Sequence, residues 1–335
     1  TLPSSSESIP PSSADIVAWS ATTDAGGNLF IADTGAQQLH RVSASSGRLS
    51  VFAGLGVGPV GDGEPATFAL LSNPTGVALD QVGNLLIADS WNQCLRRIDS
   101  RTGIISTIAG DGIIGSDDDL GDNGPATAAR LSYPKDIAVD QAGNIYFTEF
   151  ERIRKIAAAT GIITTIATTE GGTAQAITVD GAGNVFTSVG NRVFRIPTRG
   201  DITVVAGGGR PASGNGDGGP ATSASLNFPR GLTFDAAGDL YIADRDIRKV
   251  TLATGGITTY AQSPLFGGFG SDTTTSIAFD SRGNLFALGY VLNRISSEGI
   301  VRFISGVAFQ NGHSGDNGPA SRAVFNFAND LAVDS

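Results

Sequence analysis

The chain has 335 residues, 40% of them hydrophobic, and sets 32 acidic side chains against 22 basic ones for a formal charge of −10. That balance argues against nucleic acid as a partner, because phosphate contacts need a basic surface, and no apolar run reaches the roughly 20 residues of a membrane span. A single cysteine, Cys94, excludes an internal disulfide and a cysteine-rich metal site.

Residues 1–15 begin with "TLPSSSESIPPSS", a Ser/Pro-rich stretch that reads as a solvated linker or stalk open to glycosylation. With no methionine anywhere, the chain reads as processed or as a piece of a longer one, which suits a secreted or cell-surface location. From residue 16 to 335 one pattern repeats. An apolar run ends in Asp, two residues and Gly-Asn or Gly-Asp follow, and a second apolar run begins: "ATTDAGGNLFIAD", "VALDQVGNLLIAD", "IAVDQAGNIYFTE", "ITVDGAGNVFTSV", "LTFDAAGDLYIAD", "IAFDSRGNLFALG". The Gly-Asn step supplies the positive φ of a tight hairpin. A third strand reads "LHRV", "LRRI", "IRKI", "VFRI", "IRKV" or "LNRI", and a Gly-led fourth strand is rich in β-branched residues, as in "GIISTIAG". Six such units predict an all-β fold, a β-propeller of six four-stranded blades. A seventh first strand, "LAVDS", ends the chain. It is expected to help complete the blade that begins near residue 16, closing the ring with terminal strands. The alternative is the start of a longer or seven-bladed propeller.

"GNLFIAD" and "LRRI" resemble the NHL repeat, and "GDGGPATSASLNFPRGLTFDAAGDLYIAD" resembles the extended units of secreted bacterial NHL proteins and of the teneurin NHL domain. The resemblance covers residues 17–335 and implies a propeller serving as a binding platform. Some related propellers are lyases that rely on several histidines, often around a metal, and gluconolactonase-like ones hold a pore cation. This chain has only His40 and His313, so no three-ligand zinc site can be assembled from histidine alone.

Strand alternation puts the loops between second and third strands on the same face as the blade-to-blade connections. Four of those connections carry inserts, at 61–74, 121–134, 216–229 and 315–328, each opening on Gly-Asp and running into Pro-Ala-Thr/Ser. Each reads as a short helix or turn with proline at its start, capped by Asp62, Asp122, Asp217 or Asp316. The acids that end second strands (Asp33, Asp89, Glu149, Asp244) are expected to form solvent-screened pairs with Arg41, Arg97, Lys155 and Lys249 on the third strands, worth roughly 0–1 kcal/mol each. The expected binding rim combines the starts of the inner strands with the neighbouring loops: Trp19, Trp91, Asn92, Lys135, Asp136, Phe150, Glu151, Gln175, Arg230, Tyr290, Asn329 and Asp330. Its expected partner is a protein or glycan, with self-association into a surface filament or assembly as an alternative and a lyase or gluconolactonase-like hydrolase as a second. No motif marks a catalytic residue, a metal or a cofactor.

Overall fold

Each repeat begins on an aspartate whose side chain shapes the first turn. Asp80 accepts the amides of Val82 and Asn84 at one carboxylate oxygen, at 3.0 and 2.9 Å, and the Asn84 side-chain amide at the other, at 2.8 Å. The free oxygen of Asn84 then takes the Ser100 amide, tying this hairpin to the turn between the third and fourth strands. The same bracket recurs at Asp24, Asp140, Asp180 and Asp280. At Asp235 the asparagine is replaced by Asp239, and Lys249 bridges the two carboxylates at 3.2 and 3.0 Å. Gly83 and its equivalents supply the positive φ between them.

These hairpins build a six-bladed β-propeller of antiparallel four-stranded sheets. The computed structural model describes residues 17–55, 61–116, 119–169, 172–262, 275–289, 291–305 and 330–333. The inner strands of blades 1 to 6 are Ala18–Thr23, Pro74–Leu79, Ile137–Val139, Ala174–Val179, Gly231–Phe234 and Ser276–Phe279. Second strands follow at Leu29–Asp33, Leu85–Asp89, Ile145–Glu149, Val185–Val189, Leu240–Ala243 and Leu285–Leu288. Third strands are Gln38–Val42, Cys94–Ile98, Arg152–Ile156, Arg192–Ile196, Ile247–Thr251 and Leu292–Ile295. The outer edge is formed by Leu49–Ala53, Ile105–Ala109, Ile163–Thr168, Thr203–Gly207, Gly256–Ala261 and Val301–Ser305.

The core lies between blades rather than on the axis. Phe30 and Leu39 of blade 1 pack with Ile87 and Ile98 of blade 2, and four further clusters join the successive pairs up to blades 5 and 6. The three described inserts are wedges in these seams. Ala66, Ala69 and Leu71 are buried, as are Ala126, Ala129 and Leu131, and Ala221, Ala224 and Leu226. Pro65, Pro125 and Pro220 bridge to Ile104, Ile162 and Gly256 at the outer edge of the following blade, covering backbone that would otherwise be an open sheet edge. Gly110 closes the fourth strand of blade 2 at φ +93, just before an insert, and a Cβ there would lie 2.2 Å from the Gln93 carbonyl oxygen. Gly110→Ala is expected to lower stability by about 1–3 kcal/mol. Gly103→Ala, at φ +69 in open space, is expected to lose less. Urea midpoints compare the two, and equal losses would assign the cost to φ alone.

The insert aspartates do not cap helices. Each of the three described inserts contains one 3-10 turn (Ala66–Phe68, Ala126–Ala128, Ala221–Ser223) that follows an extended proline and has no side-chain cap. The carboxylates reach a fully buried arginine instead. Arg96 meets Asp62 at 2.7 Å and Asp89 at 3.5 Å; Arg154 meets Asp122 at 3.0 Å and Glu149 at 2.9 Å. Arg248 meets Asp217 at 2.6 Å, with Asp244 near enough to feel its charge. Asp316 lies outside the described residues.

The expected acid–base pairs are therefore off by one residue. Asp89 stands opposite Cys94, so Arg96 shares its side of the sheet whereas Arg97 is on the other. Asp33 pairs with His40 at 2.9 Å rather than Arg41, and Glu149 with Arg154 rather than Lys155. Lys155 lies over the Tyr146 ring, and Lys249 serves the Asp235 hairpin rather than Asp244. The second-strand acids are also buried, not solvent-screened. Each accepts the backbone amide of the segment leading into its own blade: Val17 at 3.2 Å, Ser72 at 2.7 Å, Ser132 at 2.9 Å and Asn227 at 2.7 Å.

Blade 1 needs no strand from the C-terminus, since its four strands all lie within residues 18–53. Residues 330–333 instead run between the inner strands of blades 6 and 1. Asp330 accepts Ser20 Oγ at 2.9 Å and the Ala21 amide at 3.0 Å on one side, and Ser276 Oγ on the other. Thr23 Oγ1 donates to the Val333 carbonyl at 2.8 Å. The axis is thus ringed by six inner strands and this seventh segment.

Candidate functional site in the axial funnel

Where the inner strands begin, they enclose a funnel of about 450 Å³. Register shifts at Ala18/Ser20, Pro74/Val77 and Ala174/Ile177 place a bulge at the start of three of these strands, a device that re-aims side chains at a rim. The lining descends in layers. The outer layer holds Trp19, Thr75, Lys135, Gln175, Arg230 and Thr275; one residue further along come Ser20, Asp136, Ala176, Gly231, Ser276 and Asp330; below them Val77, Ile137, Ile177, Leu232 and Ile277 form an apolar layer, and the lining continues to Leu79 and Thr178. Gly76 belongs to the middle layer and tolerates no Cβ, which would sit 2.4 Å from the Lys135 carbonyl oxygen.

The middle layer pins the ring together. Ser20 Oγ accepts the Val77 amide at 3.3 Å, Asp136 the Ile177 amide at 2.9 Å, and Asp330 the Ala21 amide, each from the next segment around. Asp136 also takes its neighbouring Ile137 amide at 2.9 Å. Burial pushes the Asp136 carboxyl up to about 7, against the pull of those amides, and the Asp330 carboxylate adds to the rise. Burial likewise raises Asp330.

The outer layer is where a ligand would arrive. The Lys135 ammonium donates to Gln175 Oε1 at 2.7 Å and lies 5.8 Å from the centre of the Trp19 ring. Burial lowers its pKa, opposed by Asp136 and helped by Arg230. Arg230 is exposed and has no ion pair among the described residues.

Six of the rim residues picked from sequence therefore meet in one cavity: Trp19, Lys135, Asp136, Gln175, Arg230 and Asp330. Trp91, Phe150 and Glu151 are exposed on the loops outside it. Asn92 is not a rim residue; it is buried, with its amide donating to Asp89 at 2.9 Å. Tyr290 and Asn329 lie outside the described residues. Sequence reasoning missed two exposed aromatics, Tyr133 and Phe228, each before a proline at the end of an insert with φ near +50. Their amides are held by Gln93 and Asn191 of the preceding blade, at 2.7 and 3.2 Å. The available signal was an aromatic where the first insert has Asn73 before its proline.

His40 is buried beside Asp33 and does not line the funnel. Among the described residues no three His, Cys, Asp or Glu side chains group as metal ligands.

The NHL repeat family model matches residues 71–98, and the teneurin NHL domain model matches residues 113–189. This is an NHL β-propeller related to the teneurin NHL domain. Mouse teneurin-4 is 28% identical over 277 residues, which cover 67% of this chain and 10% of the teneurin, so the propeller spans about a tenth of that relative. By shape the NHL propeller resembles virginiamycin B lyase from Staphylococcus aureus, with a TM-score of 0.61 at 17% identity over 91% of this chain and 89% of the lyase. It also resembles a gluconolactonase from Xanthomonas campestris, with a TM-score of 0.52 at 15% identity over 82% and 84%. Identities this low establish the shared propeller fold alone.

Proposed function

We propose that this propeller is a non-catalytic platform that works outside the cell, binding a protein or glycan on the face where the second-to-third-strand loops and the funnel open. The observation that carries the reading is an arc of exposed aromatics on blades 2 and 3. Trp91, Tyr133 and Phe150 are 62%, 44% and 54% exposed. Their backbones are tied to one another: Tyr133 N donates to Gln93, two residues from Trp91, and Phe150 N donates to Ser132, beside Tyr133. Fixed, exposed aromatics give large contact area at little cost in ordering, which is what recognition hot spots need. Among the described residues no helix is long and apolar enough to cross a membrane.

The test presents the immobilised chain to arrays of extracellular proteins and glycans, then repeats it with Trp91→Ala/Phe150→Ala. A captured partner whose affinity falls about tenfold or more in the double variant, with the thermal midpoint unchanged, supports the platform; tenfold corresponds to about 1.4 kcal/mol. A partner indifferent to both aromatics would remove the arc as its contact, and no partner at all would refute the platform.

A further inference from the structure

The outer layer of the funnel differs chemically from the rest of this acidic molecule. It gathers two cations, an aromatic face and a carboxamide at one mouth, while the two carboxylates lie one layer deeper. Those carboxylates are occupied by the ring itself. Asp136 accepts the Ile137 and Ile177 amides, and Asp330 accepts Ser20, Ala21, Ser276 and Leu331 donors. Lys135 uses one of its three N–H groups on Gln175, and Arg230 has no anionic partner among the described residues. Two neighbouring cations, neither in a direct ion pair among the described residues although Asp136 lies near Lys135, form a local site for a carboxylate inside a protein of charge −10.

Resting on the platform reading, we propose that the funnel mouth binds a terminal acidic sugar, with Lys135 and Arg230 taking its carboxylate, Trp19 stacking on the ring and Gln175 meeting a hydroxyl. The cavity of about 450 Å³ has the size of a small-ligand pocket. A peptide would want several apolar anchors at this mouth. Among the described residues the outer layer offers Trp19 as its one aromatic, partly exposed, among hydroxyl, amide and cationic groups, which matches a sugar better. The carboxylate is common to sialic and uronic acids, and the test separates them.

Ligand-observed NMR titrations of the full chain would use 3′-sialyllactose, a galacturonic acid trimer, lactose and an acidic hexapeptide. One or both acidic sugars should bind, more weakly as salt rises, while lactose and the peptide do not. Arg230→Gln, on an exposed side chain, should weaken that binding about tenfold or more, and Trp19→Ala should do the same. Val82→Ala, on an exposed hairpin outside the funnel, should leave it unchanged. Binding of lactose as tight as sialyllactose, binding of the peptide alone, or no loss in Arg230→Gln would overturn the assignment. Failure of both acidic sugars while an array partner still depends on Trp91 and Phe150 would overturn this inference and leave the platform standing. Sugar binding without any partner at the aromatic arc would leave this inference standing and remove the arc as the platform's contact.

Discussion

Arg154→Ala is expected to lower the free energy of unfolding by about 3–5 kcal/mol, the range for breaking a buried ion pair from one side. The Arg154 side chain is completely buried and its two terminal nitrogens reach Glu149 at 2.9 Å, Asp122 at 3.0 Å and the Leu120 carbonyl at 3.1 Å. Removing it strands the Glu149 carboxylate, equally buried, on the single Ser132 amide. It also frees the insert from the third strand it clamps. Lys155→Ala, one residue on, removes a half-exposed ammonium over the Tyr146 ring and should cost only about 0.5–1 kcal/mol. Urea denaturation of the two variants measures the contrast. Equal losses would mean that Arg154 is no more structural than its neighbour. A double-mutant cycle with Glu149→Gln should return a coupling well above the few tenths expected of independent sites.

That contrast also shows where the sequence was readable. The Asp-x-x-Gly-Asn bracket is local, so its chemistry is visible within five residues, and the blades follow from it. The buried triads are not local. "LRRI" presents two adjacent bases, and which one faces inward is set by the register against the second strand, with Asp89 opposite Cys94, which depends on the length of the loop between them. The more persistent base, Arg97 and its equivalents, drew attention because every blade has one. The informative residue is the one that comes and goes. Arg96, Arg154 and Arg248 occur where an insert precedes the blade and an acid ends its second strand; blades 4 and 6, which have neither, carry Phe194 and Asn293. That co-occurrence of insert aspartate, strand acid and arginine was legible as a set of three contacts. The rim was legible for a simpler reason: variable residues at one repeat position must share one ring around the axis. Which of them would be consumed by the ring, as Asp136 and Asp330 are, depended on donors from the adjacent segments and could not be seen from spacing.

The thermal midpoint should be higher near pH 5 than at pH 8, the opposite of what an ordinary set of paired surface carboxylates gives. Two groups of acids pull in different directions. In the hairpins, burial raises Asp24, Asp140, Asp235 and Asp280, but their hydrogen bonds win and hold the carboxyls below the ordinary value of 3.8. Those sites stabilise the fold above about pH 4 and lose that contribution as pH falls through their folded values. At the second-strand acids of the three triads and in the funnel, burial wins, raising Asp89 to about 6 and Asp136 to about 7, with Glu149, Asp244 and Asp330 moved the same way, whereas Asp33 and the insert acid Asp217 are lowered like the hairpin acids. For a raised acid the contribution is complete below the unfolded value and is lost as pH climbs through the folded one, so stability drains between about pH 4 and 7. Self-repulsion of a chain at −10 acts in the same sense above that window. Differential scanning calorimetry at fixed ionic strength, from pH 4 to 8, tests this directly, and a midpoint rising steadily from pH 5 to 8 would refute it. Asp136→Asn keeps one acceptor in the ring but cannot ionise, so it should flatten the alkaline limb while leaving the loss below pH 4, which belongs to the hairpins, where it is.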